Sequence, residues 1–207
     1  MTSADLTPAA EGQVALHPSG ALHEEDARRG LWVFGYGSLI WNPVFDYVEQ
    51  VHGRCAGVHR SFCVRSVYHR GSYQKPGLVL GLDGGGSCDG VLYRVAPKIA
   101  SDVVRYLRRR EQVTRVYREM YRNVEVTGGP QDGRIVRALC FVAERNHAQY
   151  INSLSLTTQA AIIRDCCGRS GRNIDYLIST LRHLEELGID DPLLQRILNM
   201  TGCHYQK

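Results

Sequence analysis

Residues 31–41 read Leu-Trp-Val-Phe-Gly-Tyr-Gly-Ser-Leu-Ile-Trp. The run Leu31 to Tyr36 is apolar, aromatic and β-branched, the composition of a strand covered on both faces. Gly35 and Gly37 then let the chain turn tightly and expose consecutive amide hydrogens, a nest suited to a carboxylate or a phosphate. An ordinary strand-ending turn is the alternative reading. The stretch lacks the third glycine of a dinucleotide-binding turn, because Leu39-Ile-Trp41 follows, and it has no Gly-Lys-Ser of a P-loop. Ser38 does not sit in the Gly-x-Ser-x-Gly setting of a hydrolase nucleophile.

Outward from this strand, the pattern predicts a second strand over residues 56–66, with Phe62 and Val64 on one face. A polar loop, Tyr68 to Pro76, follows. Residues 77–82 and 88–95 read as two strands of a hairpin, turned by Asp83-Gly-Gly-Gly-Ser87. Pro97 suits the first turn of a helix over residues 98–110, whose apolar stripe is Ile99, Val103 and Leu107. Strands follow at 117–126 and 134–143. The last third is helical, with helices over 157–166 and 173–187 and a short one from Asp191-Pro192, a cap residue followed by proline. Gly188 is placed to end the second of these. About six strands clustered early, with one helix interrupting them, do not alternate as a Rossmann sheet does. A mixed α/β domain around a small curved or closed sheet is expected. Residues 1–28, rich in Ala, Glu, Ser, Pro and Gly, are expected to form a flexible tail, and residues 29–207 a single domain.

Composition narrows the function. The 207 residues carry 25 Lys plus Arg against 21 Asp plus Glu, a net charge of +4, too mild to demand a nucleic-acid partner. No apolar run approaches the ~20 residues that span a bilayer, so no membrane role is expected. The first 25 residues hold neither a basic start nor an apolar stretch, so the expected location is cytoplasmic. Seven cysteines, an odd number with no export signal, argue against a disulfide framework. No Cys-x-x-Cys or His-Glu-x-x-His occurs, and no metal site is expected.

The chemical clue is Glu111. Counting on by four from Ile99, Val103 and Leu107 reaches it, so a stripe that faces the core ends in a carboxylate. A carboxylate there is costly unless paired or hydrogen-bonded, and a catalytic acid is one reason to keep it. The competing reading is a salt bridge to Arg108 or Arg115, three and four residues away. Burial raises its pKa, and the run Arg108 to Arg110 lowers it. Arg70 and Lys75, in the polar loop, either meet an anionic substrate or are merely solvated.

Taken in order, these motifs resemble the ChaC family of glutathione-specific gamma-glutamylcyclotransferases. The resemblance rests on Trp32-Val-Phe-Gly-Tyr-Gly-Ser-Leu-Ile-Trp41, Arg60 with Phe62, His69-Arg-Gly71 and Lys75-Pro-Gly77. It continues through Gly90, Tyr93-Arg94 and Arg110-Glu111, and ends on Ser170-Gly-Arg-Asn173 with Tyr176-Leu177. It implies the gamma-glutamylcyclotransferase fold, a small mixed barrel with flanking helices. It also implies cleavage of glutathione to 5-oxoproline and cysteinylglycine, with no metal, nucleotide or other cofactor. The catalytic carboxylate would fall on Glu111. The loop that holds the gamma-glutamyl group would fall on Tyr36, Gly37, Ser38 and Leu39, and a pocket-lining tyrosine on Tyr176. Arg70 is the expected cation for the substrate. Many relatives have a glycine between the acid and the next tyrosine; here Thr114-Arg-Val116 precedes Tyr117, so Arg115 is a candidate partner for Glu111. The competing functions are a cyclotransferase for other gamma-glutamyl amines or dipeptides, and a binding module with the same fold and no chemistry.

Overall fold

The computed structural model describes residues 28–203. The expected tail, Arg28 apart, lies outside the described residues. The first strand, β1 (Leu31–Gly35), is buried along its whole length. The cause is its position: it pairs antiparallel with β3 and parallel with β5 and so has no free edge. A single 3-10 turn (Ser38–Ile40) follows it.

β2 (Glu49–Ser66) and β3 (Gly77–Val95) form one long antiparallel hairpin. Here the structure corrects the sequence reading. The glycine run at 84–86 is not a turn, and the two short strands expected on either side of it are one strand. Gly85 and Gly86 adopt φ of 99° and 72°, and the register slips between Ala56/Ser87 and Val58/Gly84. One extra residue on β3 therefore makes a bulge, which bends the strand without ending it. The turn of the hairpin is instead the polar loop after Ser66.

α1 (Pro97–Glu111) starts on Pro97, as expected, after Ala96 in extended geometry. Its buried face is Ala100, Val103, Val104 and Leu107; Ile99 is half-buried. β4 (Tyr117–Val126) and β5 (Ile135–Ala143) form a second hairpin. β2 joins β4 at Gly53/Val126, and β1 joins β5, so five strands close a barrel in the order β1-β3-β2-β4-β5. The expected closed mixed sheet with flanking helices is the fold, with one strand fewer than the count of about six.

The helices come last. α2 (Leu156–Asp165) is capped by Ser155, which accepts from the Thr158 N–H. A two-residue ribbon, β6 (Cys167–Gly168) with β7 (Gly171–Arg172), leads into α3 (Asn173–Glu186). Gly188 follows it at φ 66°, the left-handed residue that ends a helix. α4 (Pro192–Thr201) is capped by Asp191, which accepts from the Leu194 N–H. Asn173, fully buried, lies against β3 where that strand lacks a neighbour. Its side chain accepts from Leu78 N at 2.6 Å and donates to Leu78 O at 2.7 Å, replacing the missing ladder partner.

Candidate active site

The C-terminal ends of β1 and β5 point the same way, and the chain leaves β1 there through Tyr36 to Leu39. A cavity of about 580 Å³ opens beside them. Seven of the residues singled out from sequence line it: Glu111, Tyr36, Gly37, Ser38, Leu39, Arg70 and Tyr176. Lys75, the other basic candidate of the polar loop, is exposed and outside the lining.

Glu111 is the last residue of α1, and its side chain keeps only 17% of its exposure. Its ion pair is with Arg110, Nε to Oε1 at 3.0 Å. Neither Arg108 nor Arg115 takes that place. Arg108 reaches across to Glu119 on β4, with Nε 2.6 Å from Oε2 and Nη2 donating to Oε1 at 2.8 Å. Arg115 is exposed, at φ 60°, in the turn after the helix. Burial raises the pKa of Glu111 above the usual carboxylate value, and the adjacent Arg110 charge works against that rise. The result is a carboxylate that keeps its proton to higher pH than an exposed one.

Arg110 also ties the helix end to the glycine loop. Its Nη2 donates to Ser38 Oγ at 2.9 Å, and its Nη1 donates to the Asn42 carbonyl and to Tyr106 Oη. Across the loop, no hydrogen bond among the described residues uses the N–H groups of Gly37, Ser38 or Leu39. Those donors suit a carboxylate or a developing oxyanion.

Three phenols complete the wall. Tyr36 Oη donates to the Phe141 carbonyl at 2.8 Å, and Tyr117 Oη to the Leu80 carbonyl at 2.7 Å. Tyr176 Oη accepts from the Leu80 N–H at 3.4 Å. Burial, with the negative potential of neighbours that include Glu111, raises the pKa of all three, so they stay protonated. Arg70 lies over the Tyr176 ring, 5.5 Å from its centre, and donates to the Arg172 carbonyl at 3.2 Å. His69 faces Ser170 Oγ at 2.9 Å, and burial followed by the Arg70, Arg110 and Arg169 charges lowers its pKa. The lining thus combines three arginines, a neutral imidazole, four phenols, Tyr106 being the fourth, and one carboxylate. Among the described residues, no group of three or more His, Cys, Asp or Glu is placed to hold a metal ion.

The motif glycines of the polar loop have a packing role. A Cβ on Gly77 would sit 2.1 Å from the Arg70 carbonyl and 2.7 Å from Asn173 Oδ1. Arg60 is a strap rather than part of the lining. It donates to the Tyr36 carbonyl at 2.6 Å and the Asp89 carbonyl at 2.6 Å, and pairs with Asp191 at 2.7 Å.

Comparison with known proteins follows the same line. The family model described as ChaC-like protein matches residues 31–203. The chain belongs to the ChaC-like protein family. A glutathione-specific gamma-glutamylcyclotransferase of Escherichia coli (strain K12) is 34% identical over 168 residues, 81% of this chain and 71% of that protein. The glutathione-specific gamma-glutamylcyclotransferase 1 of Homo sapiens is 34% identical over 180 residues, 84% of this chain and 79% of its own length. The crystal structure of a yeast gamma-glutamyl cyclotransferase specific to glutathione has the same fold. Its TM-score is 0.77 at 22% identity, covering 83% of this chain and 95% of that one.

Within this ChaC-like barrel, sequence reasoning missed Arg110, Tyr117, Tyr106 and Arg109 as lining residues. Arg110 carried a signal, since it stands beside Glu111 in the quoted motif. Tyr117 and Tyr106 reach the cavity only through tertiary packing. Among the described residues no helix is long and apolar enough to cross a membrane.

Proposed function

We propose that this ChaC-like protein is a glutathione-specific gamma-glutamylcyclotransferase, a lyase in which Glu111 moves the proton. The observation that carries the reading is Glu111 itself, a carboxylate of raised pKa in a cavity that also gathers the glycine loop, Arg70 and Tyr176. Relatives named for this activity in bacteria and vertebrates support the substrate. The cavity also falls within the ~300–1,000 Å³ of small-molecule sites.

Glutathione brings its own nucleophile. The alpha-amine of its gamma-glutamyl group attacks the gamma-carbonyl carbon, a five-membered lactam forms, and the bond to the cysteinylglycine nitrogen breaks. No water is consumed. The site holds amine and carbonyl in contact, an orientation effect. Glu111 accepts the proton released by the attacking nitrogen and delivers it to the leaving nitrogen, base first and acid second. Its raised pKa makes it the stronger base for the first step and keeps the proton on the carboxyl until the leaving nitrogen takes it. Gly37, Ser38 and Leu39 offer amide donors to the gamma-glutamyl end, and Arg110 holds Ser38 and Glu111 in one frame. Arg70 and Arg109 supply positive charge for the substrate carboxylates. Tyr36 and Tyr176 shape the wall.

Residues 29–207 act as one catalytic unit in this reading, in the cytoplasm. The seven free thiols, Cys55 opposite Cys88 among them, support a reducing compartment. The test is purified protein with glutathione, read by mass spectrometry for 5-oxoproline and cysteinylglycine, with Glu111→Gln alongside. Both products from the wild type alone are expected. No product from glutathione or from gamma-glutamyl dipeptides would overturn the reading.

A further inference from the structure

Three arginines line the cavity of Glu111, and two of them are already engaged. Arg110 gives its fork to Glu111, Ser38, Asn42 and Tyr106. Arg70 donates to the Arg172 carbonyl and lies over the Tyr176 ring. Arg109 makes no hydrogen bond, ion pair or ring contact with any of the described residues. It is exposed while it lines the cavity, so it stands at the mouth and not on the floor.

The two uncommitted charges face different parts of the cavity. A Cβ on Gly37 would lie 3.4 Å from Tyr176 Oη, so the Tyr176 ring and the Arg70 charge over it border the glycine loop. On α1, consecutive side chains are splayed by about 100°. Arg110 turns towards the loop, where it meets Ser38, so Arg109 turns away from it.

The next step rests on the proposed activity. With the gamma-glutamyl group in the glycine loop and the gamma-carbonyl at Glu111, the cysteinylglycine half extends towards the mouth. Its carboxylate ends two residues beyond the bond that breaks, roughly 7 Å along an extended chain. The carboxylate of gamma-glutamylcysteine ends one residue nearer, by roughly 3.5 Å, and a gamma-glutamylamine has none there. We infer that Arg109 is a specificity-determining residue, whose guanidinium pairs with the glycine carboxylate of glutathione and so favours the tripeptide over gamma-glutamyl dipeptides and amines. A guanidinium fork matches a carboxylate with two parallel hydrogen bonds, and Arg109 has no earlier bond to break.

Steady-state kinetics of wild type and Arg109→Gln on glutathione, on glutathione esterified at its glycine carboxylate and on gamma-glutamylcysteine test this. In Arg109→Gln the KM for glutathione should rise about tenfold, the scale of one charge-assisted hydrogen bond. The KM for the ester, which carries no charge at that end, should be the same in both proteins. The preference for glutathione over gamma-glutamylcysteine should shrink with the loss of the arginine. Arg109→Lys restores the charge without the fork and should recover part of the affinity. Arg70→Gln should weaken acid and ester alike, because both share the gamma-glutamyl end. An unchanged KM for glutathione in Arg109→Gln overturns the assignment. So does an equal rise for acid and ester, which would mean that Arg109 acts through the fold or through Glu111. Discrimination between acid and ester that is lost in Arg70→Gln and kept in Arg109→Gln also overturns it, and gives the glycine carboxylate to Arg70. No turnover of any of the three compounds by the wild type overturns the proposed activity and this assignment with it, whereas turnover with an acid-to-ester ratio that Arg109→Gln leaves unchanged overturns this assignment alone.

Discussion

Arg110 Nε lies 3.0 Å from Glu111 Oε1, an ion pair between consecutive residues at the end of α1. Consecutive residues on a helix point about 100° apart and rarely meet. They meet here because the helix stops at Glu111, and because the rest of the Arg110 fork is held by Ser38, Asn42 and Tyr106. The acid is therefore anchored from the loop that faces it.

Glu111→Gln removes the proton carrier and keeps the shape. Turnover of glutathione should fall by roughly 10²–10⁴-fold, the usual scale for a lost general acid–base. Product quantification by mass spectrometry checks it, with circular dichroism confirming the fold. A folded Glu111→Gln protein with full activity would end the assignment.

The same variant carries a stability signature. Burial makes the ionised form of Glu111 less favourable in the folded chain than in the unfolded one, so its folded pKa is raised. Stability from this group is then fully present below the unfolded pKa and is lost as pH rises through the folded value. Gln does not titrate. The melting temperature of Glu111→Gln relative to wild type should therefore rise between acid and neutral pH. A difference that stays flat with pH would mean that the carboxylate is not strained by burial.

Arg110→Gln tests positioning. Arg110 opposes the upward shift of Glu111, so its loss moves the acid limb of the kcat profile to higher pH. A purely structural role would lower activity at every pH and leave the limb in place. Profiles of kcat against pH for both proteins separate the two.

Asn173 supports the wall from behind. Asn173→Ala leaves the N–H and C=O of Leu78 without partners in the core. Two unsatisfied groups cost roughly 2–6 kcal/mol. In a chain of this size that is a drop of roughly 4–24 °C in melting temperature. A scanning calorimetry trace within 1–2 °C of wild type, to use about the margin of such a measurement, would show that water or relaxation replaces the amide.

How much of this was legible in the sequence depends on how local the cause is. Helix starts at Pro97 and Asp191-Pro192 were, because those residues act within one turn. The acid on the apolar stripe was legible for the same reason. The continuity of β3 through its glycines was not. Gly85 and Gly86 look like a turn until β2 is laid beside them, and only the pairing of Ala56 and Val58 makes them a bulge. The partner of Glu111 was hidden in the same way. Spacing rules favour Arg108 and Arg115, but Glu119 on β4 claims Arg108, and the left-handed turn at Arg115 leaves that side chain in solvent.

Arg60 ties that non-local framework to the site. Its side chain, 5% exposed, holds the Tyr36 carbonyl at the head of the glycine loop, the Asp89 carbonyl on β3 and the Asp191 cap of α4. A lysine reaches one of these as a point charge and does not span three with a planar fork. Arg60→Lys should therefore cost about 2–4 kcal/mol, towards the low end of a broken buried pair because one contact survives. It should also loosen the loop at Tyr36, raising KM for glutathione more than it lowers kcat, since Glu111 itself is untouched. Thermal melts and steady-state kinetics on the one variant read both effects. Loss of stability with unchanged KM would confine Arg60 to the scaffold, and a wild-type melting temperature would mean that the three contacts carry little of the fold.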